Sequence, residues 1–117
     1  MKYVLLVYQG TTPLPGTERW KALPAAEQKQ IYAEYAELNG VAGVTPGLPL
    51  GRPEAARTVA VREGTVTVRN GPYLTEGVGG FFVYEADSME AAIALAARIP
   101  AARLGGAVEI RPAEAYW

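Results

Sequence analysis

Residues 79–98 read GGFFVYEADSMEAAIALAAR, and this stretch joins a strand pattern to a helix pattern. Its first half is aromatic and β-branched, which favours a strand with apolar side chains on both faces. Asp87 or Ser88 then stands where a helix N-cap belongs, and Asp87 as the cap would place Glu90 at the acidic position of a capping box. The alanine-rich residues that follow predict a helix that ends before Pro100.

A second helix is predicted upstream, between Pro24 and Gly40. Ile31, Tyr35 and Leu38 recur at i, i+4 and i+7, so they form one apolar stripe along the helix. Proline is tolerated at the start of a helix and glycine is a common C-terminal stop. The helix therefore has one face to bury.

Four further strands are predicted at residues 2–8, 57–62, 65–69 and 107–111. The two middle runs alternate strictly on either side of Glu63 and Gly64, which indicates a β-hairpin. Each run of the hairpin carries its valines on one face: Val59 with Val61, and Val66 with Val68. Residues 40–53 hold four glycines and three prolines and are predicted as a long loop with a functional or covering role.

The predicted order β-α-β-β-β-α-β, apart from one extra hairpin strand, is that of an α+β, ferredoxin-like fold. One antiparallel sheet would carry both helices on one face. Residues 2–8 and 81–84 are apolar on both faces, although monomers rarely expose an apolar patch of more than a few hundred Å². We therefore expect a homodimer formed through the second sheet face, with residues 1–117 as a single domain.

The composition excludes several kinds of chemistry. The chain of 117 residues has no cysteine and no histidine, and it has one serine and one aspartate, Ser88 and Asp87. Thiolate catalysis, cysteine-ligated zinc and a Ser-His-Asp triad are therefore excluded. We expect neither a metal ion nor a cofactor.

The charge pattern argues against nucleic acid as a partner. Eleven basic and twelve acidic residues give a net charge of −1, whereas nucleic-acid binders typically carry a basic stripe. The apolar run that opens the chain is shorter than a signal-peptide core, and no run approaches a membrane span of about 18 residues. We expect a cytoplasmic protein with no membrane partner.

Five segments together carry a family resemblance: residues 2–8, the turn Asn70-Gly71-Pro72-Tyr73, the strand entry 79–82, the helix end 96–102, and residues 108–112. On these segments the chain resembles the YCII-related family, in the subgroup of DGPF-domain proteins. The resemblance implies a ferredoxin-like domain that pairs face to face into a dimeric α/β barrel. It also implies a link to sigma factors of the extracytoplasmic-function type, because relatives are often encoded beside them.

The chain departs from the family pattern at two points. The motif that names the subgroup begins with aspartate and ends with phenylalanine, whereas Asn70 and Tyr73 stand here. The histidine–aspartate pair proposed for the wider family cannot form, since the chain has no histidine. We therefore expect a non-catalytic small-molecule-binding or accessory module. The alternatives are a cofactor-free isomerase or lyase that uses tyrosine, glutamate and arginine, and an interaction partner in a sigma-factor system.

The predicted ligand site is the turn from Asn70 to Tyr73, near the end of the first strand. The site comprises Asn70, Gly71, Pro72, Tyr73, Tyr8, Arg69 and Glu109. Its backbone is rigid, an amide offers hydrogen bonds, and residues 40–53 would close over it as a lid. Any proton transfer would fall to a tyrosine or to a buried glutamate such as Glu109. In the alternative reading the turn only links two strands, and Tyr73 packs into the core.

Two further readings concern charged and aromatic side chains. The sheet arginines Arg57, Arg62, Arg69 and Arg111 would either converge on an anion or keep strand edges soluble. Tyr8, Tyr84 and Tyr116 would either line a pocket mouth or complete the core.

Overall fold

A computed structural model describes residues 1–74 and 77–116 of the chain. The strands are β1 (Lys2–Tyr8), β2 (Val44–Pro46), β3 (Arg57–Arg62), β4 (Thr65–Asn70), β5 (Val78–Glu85) and β6 (Ala107–Pro112). The helices are α1 (Glu18–Lys21), α2 (Ala25–Asn39) and α3 (Met89–Ala96). Single 3₁₀ turns cover Pro53–Ala55 and Pro100–Ala102.

The main sheet has four antiparallel strands in the order β2-β5-β1-β6. With α1 and the β3–β4 hairpin set aside, the elements run β-α-β-β-α-β, the order of a ferredoxin-like domain. The expected α+β class with antiparallel strands is therefore confirmed. The main sheet ends at β2 on one side and at β6 on the other, so a single chain forms an open sheet and not a barrel.

The strand β1 divides its side chains between two environments. Tyr3, Leu5 and Val7 are buried in one cluster with Leu38 of α2 and Leu95 of α3. Both long helices therefore cover the same face of the main sheet, as the sequence predicts. Burying these apolar side chains is the main favourable contribution to the stability of the fold.

The opposite face of the main sheet, called the open face here, has no helix over it in the described residues. It carries Val4, Leu6 and Tyr8 of β1 and, by register, Phe81 and Val83 of β5. These five side chains are only partly buried or exposed. The molecule is 18 Å across its thinnest axis, which fits one sheet and one layer of helices. The apolar character of β1 on both faces thus leaves an uncovered apolar surface on the single chain.

The prediction of one continuous sheet is wrong. Strands β3 and β4 pair only with each other and form a separate two-stranded sheet. The fourth strand of the main sheet is β2, which lies inside the segment 40–53 that the sequence predicts as a loop. Three residues with a proline among them are too few to produce a recognisable alternation.

The sequence patterns at the hairpin turn and at the start of α3 predicted the structure more accurately than the strand patterns predicted the sheet. The hairpin turn is confirmed, with φ of 50° at Glu63 and 78° at Gly64, the left-handed pair that a type I′ turn needs. The N-cap of α3 is Ser88, whose Oγ accepts a hydrogen bond from the Ala91 N–H at 3.2 Å. Asp87 therefore lies one position before the cap.

No described helix is long and apolar enough to cross a bilayer.

An ion pair joins α2 to the segment that follows α3. The Arg103 guanidinium donates through both terminal nitrogens to the Glu34 carboxylate, with Nη2 to Oε1 at 2.8 Å. This bidentate bond holds the pKa of the Glu34 carboxyl below its ordinary value. The Glu34 side chain is largely shielded from solvent, whereas Arg103 is half exposed. Arg98 and Glu37 pair nearby at 3.8 Å through more exposed side chains.

We expect Glu34→Gln to lower the free energy of unfolding by about 0.5–1 kcal/mol at pH 7. Because the folded-state pKa of Glu34 is lowered, its contribution is present above the unfolded pKa and is lost as pH falls through the folded one. The gap between wild type and variant should therefore close in acid. Urea unfolding between pH 7 and pH 3 measures it. Glu37→Gln is the matched control and should cost less, and an unchanged gap in acid would contradict the assignment.

Candidate functional site

The turn that the sequence singled out is tied to the base of the β3–β4 hairpin. Asn70 is the last residue of β4 and lies opposite Arg57. The Gly71 N–H donates to the Ala56 carbonyl at 2.9 Å, and the Thr58 hydroxyl donates to the Gly71 carbonyl at 2.8 Å. The turn is therefore an ordered closure of the hairpin.

Arg69 braces the same turn from within. Its Nη2 donates to the carbonyl oxygens of Pro72 and Tyr73, both at 3.1 Å. The side chain of Tyr73 is 72% exposed, so the alternative reading that places it in the core is wrong.

Tyr8 and Glu109 lie on the open face of the main sheet. Tyr8 is opposite Ala107, and Glu109 is opposite Leu6. Glu109 is exposed, and its Oε2 is 3.9 Å from Nε of Arg111. The expectation of a buried glutamate at this position is therefore wrong, because β6 is an edge strand and Glu109 alternates to its uncovered side. The turn belongs to the hairpin sheet, while Tyr8 and Glu109 belong to the main sheet.

The four sheet arginines do not converge on one point. Arg57, Arg62 and Arg69 lie on the hairpin, and Arg111 lies on β6. Arg57 and Arg69 already donate to backbone carbonyls close to them in the chain. These contacts match the reading in which the arginines flank strands. Tyr84 packs against the core cluster, and Tyr116 is exposed.

A cavity of about 340 Å³ lies between α2 and the helix-covered face of the main sheet. Residues from β1, β5 and α2 line it together with the segment Pro46–Pro49, called the roof here. The lining includes Val7, Gln9, Thr12, Tyr32, Tyr35 and Phe82. This cavity was not predicted from the sequence, because its residues come from four separate stretches of the chain.

The roof is held by backbone hydrogen bonds to β5. The Gly47 N–H donates to the Phe81 carbonyl and the Leu50 N–H donates to the Gly79 carbonyl, both at 2.9 Å. Part of the segment 40–53 thus borders this cavity, whereas the sequence predicted that the segment would close over the turn from Asn70 to Tyr73.

Two polar side-chain atoms beside this cavity have no hydrogen-bond partner among the described residues. They are Gln9 Oε1 and Thr12 Oγ1, and both atoms are buried. A buried polar atom without a partner costs about 1–3 kcal/mol, so each is a place where a ligand group gains by binding. A Cβ at position 79 would lie 1.8 Å from Gln9 Nε2, so only glycine leaves room for the Gln9 amide here. Two features of the sequence could have indicated this site: the polar residue Gln9 directly after β1, and the pair Gly79-Gly80.

Tyr35 forms the aromatic wall of the cavity. Its ring is nearly parallel to that of Phe82, at 8° and with centroids 6.5 Å apart. Burial raises the pKa of the Tyr35 hydroxyl, and the Ala101 backbone and the Arg103 charge only partly oppose this effect. Tyr35 is therefore protonated at neutral pH and serves as a hydrogen-bond donor or a stacking surface, not as a base.

The described lining of the cavity contains no carboxylate, ammonium or guanidinium group. A second hollow of about 190 Å³ lies over Glu34, Glu37, Arg98 and Arg103, whose charges are already paired. Residues 1–74 and 77–116 hold no cluster of three or more acidic side chains that could bind a metal ion. The chemistry that this cavity offers is therefore neutral: apolar walls, the amides of Gln9 and Asn39, and hydroxyl groups.

The chain was compared with curated proteins and with models of protein families. No curated protein was found to match the chain. The family model of the YCII-related domain matches residues 1–114, nearly the whole sequence. The chain belongs to the YCII-related family.

Proposed function

We propose that this protein binds a neutral, mainly apolar small molecule in the cavity between α2 and the main sheet. The observation that carries the proposal is the pair of buried, unpartnered atoms Gln9 Oε1 and Thr12 Oγ1 beside an otherwise apolar cavity. Specific sites commonly combine apolar walls with a few placed polar groups. The ligand would donate a hydrogen bond to the Gln9 side-chain carbonyl oxygen. It would form a second hydrogen bond with the Thr12 hydroxyl, which can donate or accept.

The size and the walls of the cavity support a compact, flat ligand. Its volume of about 340 Å³ falls at the lower end of the range for small-molecule sites, about 300–1,000 Å³. The parallel rings of Tyr35 and Phe82 favour an aromatic or conjugated body. The absence of charged groups from the described lining disfavours an ionic ligand, since a buried charge needs a partner.

Binding without catalysis has more support than an isomerase or a lyase. The glutamates of β5 and β6 are exposed and paired: Glu85 with the chain's amino terminus at 3.0 Å, and Glu109 with Arg111. Tyr35 has a raised pKa, which is unfavourable for proton abstraction. The cavity therefore offers recognition but no evident acid–base pair among its described residues.

We further assign the chain to the DGPF-domain subgroup of its family, on the resemblance of the turn from Asn70 to Tyr73. A binding module in this subgroup would suit a sigma-factor regulatory system, in which the small molecule is the signal. This placement rests on the resemblance alone.

We also propose that two copies pair through the open face, as in a dimeric α/β barrel. The face presents Val4, Leu6, Tyr8, Phe81 and Val83 without a covering layer from the described residues of the same chain. A second copy would cover it with an identical surface, which is how two-fold dimers form. Interfaces of obligate dimers are large and mostly apolar.

We expect indole to bind and 1-methylindole to bind more weakly, because only indole has an N–H to donate to Gln9. One hydrogen bond contributes about 1 kcal/mol, which is about fivefold in Kd. Gln9→Leu should weaken indole binding and abolish the preference for indole over 1-methylindole, whereas Thr12→Val should leave that preference in place, because the single N–H of indole donates to Gln9. Amide chemical-shift titration at neutral pH measures both constants.

Asn70→Ala and Tyr73→Ala are the controls for the competing site at the turn. If the cavity is the site, both variants should bind indole with the wild-type Kd. Loss of binding in these variants, with Gln9→Leu unaffected, would move the site to the turn. Equal affinity for indole and 1-methylindole in the wild type would contradict recognition by Gln9.

The proposed pairing of two copies is tested by placing a charged side chain in the centre of the open face. We expect Leu6→Asp to convert a dimer into a folded monomer of 12.5 kDa, because a buried carboxylate without a partner is strongly unfavourable. Ile93→Asp is the matched control, since Ile93 is an exposed apolar residue on α3. Sedimentation equilibrium at micromolar concentration gives the masses. A wild type that sediments as a monomer would contradict the pairing.

A further inference from the structure

The β3–β4 hairpin, residues 57–70 and called the arm here, exposes an apolar face of its own. Val59 lies opposite Val68, and Val61 lies opposite Val66, so the four valines share one face. Each is between 58% and 63% exposed. The opposite face carries Thr58, Ala60, Thr65 and Thr67 together with Arg62 and Arg69, and of these Thr58 and Ala60 are half-buried. We refer to the four valines as the valine face.

The arm has little in its own chain to stabilise it. Every residue from 61 to 70 is exposed. The radius of gyration is 16.2 Å, whereas a compact chain of this length has about 13 Å. An isolated two-stranded hairpin is at best marginally stable in water, and it gains stability by packing its apolar face on another surface.

The base of the arm is closed by hydrogen bonds of its own. The Gly71 N–H donates to the Ala56 carbonyl, and Arg69 donates to the carbonyls of Pro72 and Tyr73 in the turn that follows. The valine face is left uncovered by the described residues of its own chain.

The charges of the arm point to the body of another copy as the surface it meets. The arm carries three arginines and one glutamate, a net charge of +2. The rest of the chain carries eight basic and eleven acidic residues, a net charge of −3. Two arms would repel each other through their net charges, whereas an arm and the body of another copy attract each other at long range. Arg62 and Arg69 lie on the face opposite the valines, so this attraction guides association without placing these two charges in the contact.

We propose that the valine face of each arm packs against the body of a second copy, at the border of its open face. The inference rests on the dimer proposed above and adds a reciprocal clasp to it. Under two-fold symmetry each chain gives one arm and receives one, so both apolar surfaces of the chain are covered by the same partner. The arm would then be a dimerisation element inserted between β2 and β5.

The test uses one charged substitution on each face of the arm. Val61→Asp and Val68→Asp should each raise the dimer dissociation constant at least tenfold, because each would bury a carboxylate in the clasp. Thr65→Asp, on the opposite face of the same hairpin, should leave the constant within about twofold. Sedimentation velocity over a dilution series measures the constants, and far-ultraviolet circular dichroism checks that each variant is folded.

Comparison with Leu6→Asp separates the two proposals. If Leu6→Asp dissociates the dimer while Val61→Asp and Val68→Asp associate as the wild type does, the clasp is wrong and the sheet pairing stands. If the wild type is a monomer, both are wrong. If all three variants dissociate and Thr65→Asp does not, both are supported.

A photo-crosslinking amino acid at position 61 identifies the surface that the arm meets. It is introduced into an equal mixture of ¹⁵N-labelled and unlabelled protein, so that crosslinks between chains carry both isotopes. A mixed-isotope crosslink from the arm to a body peptide supports the clasp. A crosslink from arm to arm, or one confined to a single chain, overturns it.

Discussion

The alternation of side chains along β1 is the constraint on which the rest of the structure depends. β1 is hydrogen-bonded on both sides, to β5 and to β6, so it cannot shift without moving the whole sheet. Its register places Tyr3, Leu5 and Val7 under the helices and Val4, Leu6 and Tyr8 on the open face. A slip of one residue would exchange these two sets. Both the helix-covered core and the uncovered surface are consequences of this one register.

The cavity is a consequence of where β1 ends. Gln9 follows the last residue of the strand, and its amide occupies the space that Gly79 leaves on the neighbouring strand. Tyr35, from the apolar stripe of α2, closes the same space from the helix side. Gln9 is thus the first residue after the strand, and it lies between the sheet and α2, where its side-chain oxygen is buried. The cavity and the core are built from the same few elements.

Strong periodic segments were readable from the sequence, and contacts between distant segments were not. The stripe of Ile31, Tyr35 and Leu38, the hairpin at Glu63 and Gly64, and both long helices follow from local patterns. The strand β2 was missed because a three-residue strand has no period to detect. The cavity was missed because its residues are far apart in the chain and Gln9 carries no motif. Glu109 was misjudged because alternation alone does not say which face of an edge strand will be covered.

The roof over the cavity separates the stability of the fold from the choice of ligand. Its anchors are main-chain groups, the N–H of Gly47 and the N–H of Leu50, and neither bond depends on the side chains between them. Leu48 and Pro49 contribute to the lining without serving as anchors. Substitutions at these two positions would change the shape of the cavity while the sheet beneath keeps its register. Proteins with this scaffold could therefore differ in the ligands they recognise through substitutions at two roof positions. Such substitutions would change the affinity for a ligand and leave the stability of the sheet unchanged.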